Sequence, residues 1–299
     1  MTRPPKAPPL APEEQARLTA EAEAFAASEA NYEFYDADAE PSDPSALGAL
    51  PTCAEAIEML EASGDPEKAV EAAAYHKAER SYLGVPMPII DDLVTLWRAQ
   101  AGDDAAARVA LAQELWASDI HEAMIASAKL LTQARLRPDA EAWNLIASWV
   151  PYLDAWALAD AVCKAGDRRV AADPARLDLV ETWIYDENLW ARRATLTMTL
   201  PWTKQRHPSE SETTTRERIL GWLVILSEDR NWFIQKAIAT WLRDLSKRDP
   251  ERVAKWLDDH GNHLKKFARL EAAKFLPQPE PTEADQDDAP EGPTESTED

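Results

Sequence analysis

The 299-residue chain is poor in glycine, with 8 in all, and one of these, Gly292, lies in an acidic tail. It contains no G-x-G-x-x-G and no G-K-S/T string, which argues against Rossmann phosphate loops and P-loops. Only two cysteines occur, Cys53 and Cys163, far apart and without a C-x-x-C. A disulfide framework or a zinc ribbon is therefore not expected, and the chain reads as cytosolic. No run of about 18 apolar residues occurs that would span a bilayer. The start, MTRPPKAPPLAPEE, lacks the apolar region of a signal peptide. β-Branched runs are scarce, and Ala, Leu, Glu, Trp, Lys and Arg dominate. That composition favours an all-α protein.

A formal charge of −22 counts against nucleic acid as a partner until its distribution is considered. Residues 1–64 hold 3 basic and 13 acidic side chains, and 278–299 hold 9 acidic and no basic ones. Residues 65–191 carry 12 basic against 21 acidic, whereas 192–277 carry 17 against 11. The acid is concentrated in the first half and the tail, and the C-terminal part of the core is basic. A polyanion can dock on such a face.

The tail 278–299, rich in Pro, Glu and Asp with no aliphatic residue larger than Ala, cannot bury a core and is expected to be disordered. Residues 1–50 are expected to form an acidic, partly disordered extension, with a helix over 12–30 and a linker with three prolines over 36–51. From 51 to 277 the chain reads as short helices opened by Pro or Asp. They are expected near 52–63, 66–81, 86–101, 103–116, 118–135, 139–149, 152–165, 174–185, 187–200, 212–228, 230–247, 249–259 and 263–275. Joined by short loops, they make antiparallel pairs of roughly 35–45 residues, the period of a HEAT-like α-solenoid. Twelve tryptophans run from Trp97 to Trp256. Most are expected to fill the space between helix pairs, since indoles bury large areas.

Three segments carry candidate chemistry. In YLDAWALADAVCKAG (152–166) the apolar stripe is Leu153, Ala157, Leu158, Ala161, Val162 and Ala165. Trp156, Asp160 and Lys164 fall at i, i+4 and i+8 outside it. The plain alternative is a solvated Asp beside a half-buried Trp, with an Asp160–Lys164 pair. In DENLWARRATLTM (186–198) Asp186 reads as the N-cap. Arg192 and Arg193 point about 100° apart, so one can face inward and the other solvent. In the segment 231–257, Ile234, Ala237, Ile238, Trp241, Leu242 and Leu245 form a buried stripe. Lys236, Thr240, Arg243 and Lys247 form a second one, either a phosphate track or an ordinary charged outer face.

In their order and spacing these segments resemble the DNA alkylation repair proteins of the AlkD type, HEAT-like-repeat DNA glycosylases. NLWARRATL resembles the W-x-x-R-A-A block, and FIQKAI…WLRDLSKRDP the F-I-x-K-A-I-G-W-x-L-R-E-x-x-K-x-x-P block. AWALADAV resembles the block that carries a W-x-x-x-D pair. Upstream, residues 75–94 and 111–131 resemble the Y-x-K…G-I/V-x-x-P and L-W…E…A blocks. The resemblance covers about 75–276. It implies a concave face that binds double-stranded DNA carrying alkylated purines, and excision of N3-alkyladenine and N7-alkylguanine without base flipping. Asp160 matches the catalytic carboxylate, Trp156 the Trp facing the lesion, Arg193 the Arg beside it, and Tyr75 an aromatic near the damaged nucleotide. Arg192, Lys236, Arg243 and Lys247 are expected on the DNA face. The chain departs from the pattern at Ala239-Thr240, where the family has Gly-Trp, so Thr240 lines the site in place of an indole.

The residue types suit that reaction. A cationic alkylpurine already has a weakened glycosidic bond, and its departure leaves an oxocarbenium-like sugar. One carboxylate stabilises that charge, so neither metal nor cofactor is expected. The protein is expected to be a cytoplasmic monomer, nucleoid-associated when bound to DNA and not attached to membranes. A catalytically silent HEAT-repeat scaffold and a helical adaptor for protein partners are the alternatives, since function sits in the site and not in the fold.

Overall fold

Short polar side chains and prolines open most of the helices in the computed structural model, which describes residues 48–277 and Ala22. The readings for 1–50 and 278–299, including the helix expected over 12–30, otherwise lie outside the described residues. Thr52 and Glu55 form a capping box on α1 (Cys53–Ala62), and Asp65 caps α2 (Pro66–His76), which has Pro in its first turn. Then come α3 (Met87–Ala101), α4 (Ala105–Ala117), α5 (His121–Leu130), α6 (Ala140–Trp149) and α7 (Trp156–Ala172). The short α8 (Leu177–Thr182) lies between 3₁₀ turns at Pro174–Arg176 and Trp183–Tyr185. Asn188 caps α9 (Leu189–Thr197), Ser209 with Glu212 caps α10 (Glu210–Leu226), and Asn231 caps α11 (Trp232–Ser246). Asp249 caps α12 (Pro250–His260), and α13 (Lys266–Ala272) closes the series.

The 13 helices, with no strand among the described residues, stack as helical repeats. α3, α5, α7, α9, α11 and α13 pack each on the next and form one layer. α4, α6, α10 and α12 back them as a second. Polar cross-links record the repeat directly. Arg193–Asp160, Lys236–Glu271, Trp256–Leu220, Arg192–Asp229 and Trp222–Glu181 join residues 33, 35, 36, 37 and 41 apart. Each bond reaches one repeat back or forward, so the period is written in the hydrogen bonds although the sequence shows no strict repeat. Ten tryptophans, Trp97, Trp143, Trp149, Trp156, Trp183, Trp190, Trp202, Trp222, Trp241 and Trp256, are buried. Trp116 and Trp232 are half-buried against the core.

Several expected boundaries move. α2 stops at His76, five residues short of 81, because Lys77 takes a left-handed conformation at φ 55. α7 starts at Trp156 and runs to Ala172, where a helix over 152–165 was expected. Leu153 is buried but precedes it, and Ala157 is only half-buried. The reason is lateral packing. With α5 on one flank and α9 on the other, α7 buries most of its circumference, including Ala159 and Gly166. A one-sided stripe does not describe such a helix. A Cβ on Gly166 would stand 2.5 Å from the Sδ and Cε of Met198, so this glycine lets the chain after α9 close on α7. Asn188, not Asp186, is the N-cap of α9, and the Asp186 carboxylate accepts from the Asn188 amide at 2.8 Å.

Candidate functional site

Asp160, Cys163, Lys164 and Asp167 lie on one face of α7. Arg193, Leu196 and Thr197 on α9, with Leu200 and Lys204 just beyond it, face them. Lys236, Ala237 and Thr240 of α11 complete a cleft of about 220 Å³. Three consecutive repeats therefore supply its walls. Arg193, with its side chain only 8% exposed, donates from Nη1 to Asp160 Oδ1 at 2.5 Å, and its guanidinium lies over the Trp190 ring. The Asp160 side chain keeps 25% of its surface. The carboxylate is thus held at the mouth of the cleft by a buried cation and is still open to a ligand. An Asp160–Lys164 pair does not form. Lys164 turns instead to Asp167 Oδ2 at 3.2 Å, because Arg193 has taken Asp160.

One turn before Asp160, Trp156 opens α7 and is buried at 8% exposure, not presented outward as the spacing suggested. Tyr75 meets it edge-on at 6.2 Å between ring centroids. His76 lies 5.9 Å from Trp156 and 4.5 Å from His121, and Tyr82 stacks with His76 at 6.1 Å. Burial, with Arg80 adding to it, lowers the His76 imidazole to about 4. Burial, with His76 and Arg80 adding to it, lowers His121 to about 3. Both rings are neutral at pH 7. Arg80 pairs with Asp154, whose carboxyl is raised by burial against the pull of that arginine. Glu122 accepts from the amides of Gly84 at 2.7 Å and Leu83 at 3.0 Å and ties this loop to α5. Sequence reasoning missed this polar layer behind Trp156. Its only trace was the Y-H-x-x-x-R-x-Y spacing of Tyr75, His76, Arg80 and Tyr82.

The remaining expected residues divide. Lys236 and Thr240 line the cleft, whereas Arg192, Arg243 and Lys247 do not. Lys236 and Arg243 converge on Glu271 at 3.0 and 2.5 Å. Lys247 pairs with Asp244 at 3.0 Å and covers the Phe275 ring at 4.8 Å. Arg192 bonds the carbonyls of Asp186 and Glu187 at 2.8 and 2.9 Å and pairs with Asp229 at 3.0 Å. Neither of the adjacent arginines simply faces solvent. Trp241 is fully buried, as its stripe required. Burial raises the Cys163 thiol, so the cysteine forms floor and is no nucleophile. Among the described residues no group of His, Cys, Asp and Glu could hold a metal ion, and no helix is long and apolar enough to cross a membrane.

The family model for DNA alkylation repair enzymes matches residues 56–276. The chain belongs to the DNA alkylation repair enzyme family. Its role is accordingly in DNA alkylation repair. The fold is shared with the predicted DNA alkylation repair enzyme from Enterococcus faecalis, at 23% identity and TM-score 0.58 over 73% of this chain and 98% of that one. It is also similar to AlkD2 from Streptococcus mutans, at 19% identity and TM-score 0.50 over 76% of this chain and 100% of that one. Among curated proteins none matches at a significant level. The matched span takes in every wall of the cleft, so the AlkD-type resemblance and the cleft concern the same residues.

Proposed function

We propose that this family member is a DNA glycosylase that hydrolyses the N-glycosidic bond of cationic alkylated purines, N3-alkyladenine and N7-alkylguanine, in double-stranded DNA. The observation that carries this reading is the Arg193–Asp160 pair at the mouth of the cleft, one helical turn from Trp156 and its Tyr75 neighbour. Cleavage sends the bonding electrons from C1′ to the ring nitrogen, which neutralises the base. The sugar takes up the positive charge. The Asp160 carboxylate stabilises it, and a water adds to C1′ and passes its proton to Asp160, which returns it to solvent. Only contacts that strengthen as charge moves onto the sugar accelerate this step. Trp156, buried one turn before Asp160 and outside the cleft lining, contributes by packing behind the carboxylate and not as an open aromatic face. A guanidinium has five N–H donors, so Arg193 can keep Asp160 in place and grip a flanking phosphate. Because the substrate brings its own charge, no metal or cofactor is needed. The working form is a monomer on DNA in the cytoplasm.

A silent DNA-binding scaffold is the second reading, and Thr240, standing where the family carries an indole, favours it. Incubation with methylated duplex DNA separates the two. Release of free 3-methyladenine and 7-methylguanine by the wild type, lost in Asp160→Asn, supports the glycosylase. Salt-dependent binding without release supports the scaffold.

A further inference from the structure

In the layer that bears the cleft, α5, α7, α9 and α11 lie with like ends together, and these ends form two rims. At one rim the N-terminal ends meet. Asn188 donates to the carbonyls of Pro151 and Leu153, and Arg192 pairs with Asp229. At the other the C-terminal ends meet. Arg169 donates to the carbonyls of Gln133 and Leu136, and Gly166 faces Met198. The two rims carry opposite charge. The segments that follow α5, α9 and α11 (131–138, 198–207 and 247–248) hold Arg135, Arg137, Lys204, Arg206, Lys247 and Arg248, all exposed, and no carboxylate. The segments that precede α7, α9 and α11 (150–155, 183–188 and 227–231) hold five carboxylates against Arg230 alone, together with the exposed Tyr152 and Tyr185.

Peptide dipoles alone favour phosphate at helix N-termini and disfavour it at C-termini. Here the N-terminal ends are already occupied. Asp186 and Asp229 accept from the amides of Asn188 and Asn231, both at 2.8 Å, and these asparagines cap α9 and α11. Compensation of the dipoles does not account for the cations of the other rim, since that effect fades beyond the last turn. Arg137 stands seven residues past Leu130, and Lys204 and Arg206 stand seven and nine past Thr197. Arg137 and Arg168 lie within electrostatic reach of Arg169, and Arg168 and Lys204 within reach of Asp167. Lys204 also lines the cleft, so the cations of adjacent segments make one positive edge that is continuous with it.

We propose that this C-terminal rim is the edge that holds the DNA backbone, and that the N-terminal rim meets the duplex without phosphate contacts. The inference deepens the DNA-repair role and does not depend on glycosylase chemistry. With neighbouring axes about 8–10 Å apart, the three steps from α5 to α11 span about 24–30 Å, or about seven to nine nucleotides at 3.4 Å each.

The test uses full-length protein and an undamaged duplex two helical turns long, with affinity followed across a salt series. The triple variant Arg137→Ala/Arg206→Ala/Arg248→Ala removes one exposed cation from each basic segment and none from the cleft. The slope of log K against log salt should become shallower by about 3, one unit for each lost phosphate contact, with melting unchanged. Arg137→Lys/Arg206→Lys/Arg248→Lys, which keeps the charges, should keep the wild-type slope. On the other rim, Arg230→Ala and Glu187→Lys should both leave the slope as it is. The wild-type slope persisting in the Ala triple overturns the rim. So does a slope made shallower by Arg230→Ala or steeper by Glu187→Lys, since either places phosphates at the N-terminal ends. A wild type without salt-dependent binding overturns DNA as the partner and the rim with it. Base release from methylated DNA is read separately, so failure of the glycosylase reading leaves this result standing.

Discussion

Asp160 has two duties, and two substitutions pull them apart. Asp160→Asn keeps an oxygen that can accept from Arg193 and removes the negative charge. Loss of one preorganised electrostatic contact at a developing charge typically costs about 10²–10³ in rate, or roughly 3–4 kcal/mol. Base release should fall by that factor while the protein melts close to the wild type. Asp160→Ala removes the acceptor as well. Arg193, 8% exposed, is then left without the carboxylate that faces it. A fully buried pair broken in this way costs about 3–5 kcal/mol. Asp160 retains 25% of its side-chain surface, so water compensates in part. The expected penalty is about 1–3 kcal/mol. At about 2–4 °C per kcal/mol for a domain of this size, melting should drop by several degrees. The assay is single-turnover base release alongside thermal unfolding followed by circular dichroism. Asp160→Asn releasing base at the wild-type rate would falsify the catalytic assignment. Asp160→Ala melting with the wild type would show that Arg193 does not depend on this partner.

Arg192→Ala should cost stability of about 1–3 kcal/mol, because two carbonyls and Asp229 lose their donor. The salt dependence of DNA binding should not change, and a shallower slope with unaltered melting would restore Arg192 to the DNA face. Glu271→Gln releases Lys236 and Arg243 from their shared carboxylate. DNA affinity at low salt should rise and the slope of log K against log salt should steepen by about 1, whereas an unchanged slope places both cations away from phosphates. The histidines behind Trp156 set an acid limit. Their folded values, about 4 for His76 and about 3 for His121, lie below the unfolded value near 6.5. The unfolded chain therefore binds protons first, and stability, full above about 6.5, is lost as pH falls from there toward 4. Urea midpoints at pH 7, 6 and 5 should decline in that order, and a flat series refutes the burial of neutral imidazoles.

The helix count and the periodic stacking were legible in the sequence because caps are local chemistry. Asp65-Pro66, Asp249-Pro250 and Ser209-x-x-Glu212 announce their helices whatever surrounds them. The α11 stripe was legible because Ile234, Ala237, Ile238, Trp241, Leu242 and Leu245 are all buried, while Lys236, Thr240 and Arg243 stay partly exposed. α7 was not, since it also buries Trp156, Ala159, Gly166, Asp167 and Arg169, which lie off the expected stripe. Asp160, Trp156 and Arg193 stood out through their spacing and the family resemblance. That Arg193 reaches back one repeat to Asp160 while Arg192 reaches forward to Asp229 is decided by the crossing of α9 over its neighbours, which adjacent arginines do not encode. Asp167 was within reach of the spacing argument, seven residues after Asp160 on the same face. It was hidden because a carboxylate next to Lys164 and Arg168 reads as solvated surface. The layer of His76, His121 and Arg80 was hidden because its members come from segments that only the fold brings together.

Around the cleft the polar cross-links reach one repeat, from Asp160 to Arg193 and from Lys236 to Glu271, whereas beside α2 the Arg80–Asp154 pair joins residues 74 apart. Mechanically, the part of the stack from α7 onward is then a set of hinges in series, each with its own stiffness. A torque applied at α13 is shared among these interfaces, and the two that frame the cleft, α7 on α9 and α9 on α11, absorb only their portion. Bending by a curved duplex therefore reaches the Asp160 mouth diluted. The width of the cleft is governed by the contacts of three adjacent repeats, whatever the ends of the molecule are doing.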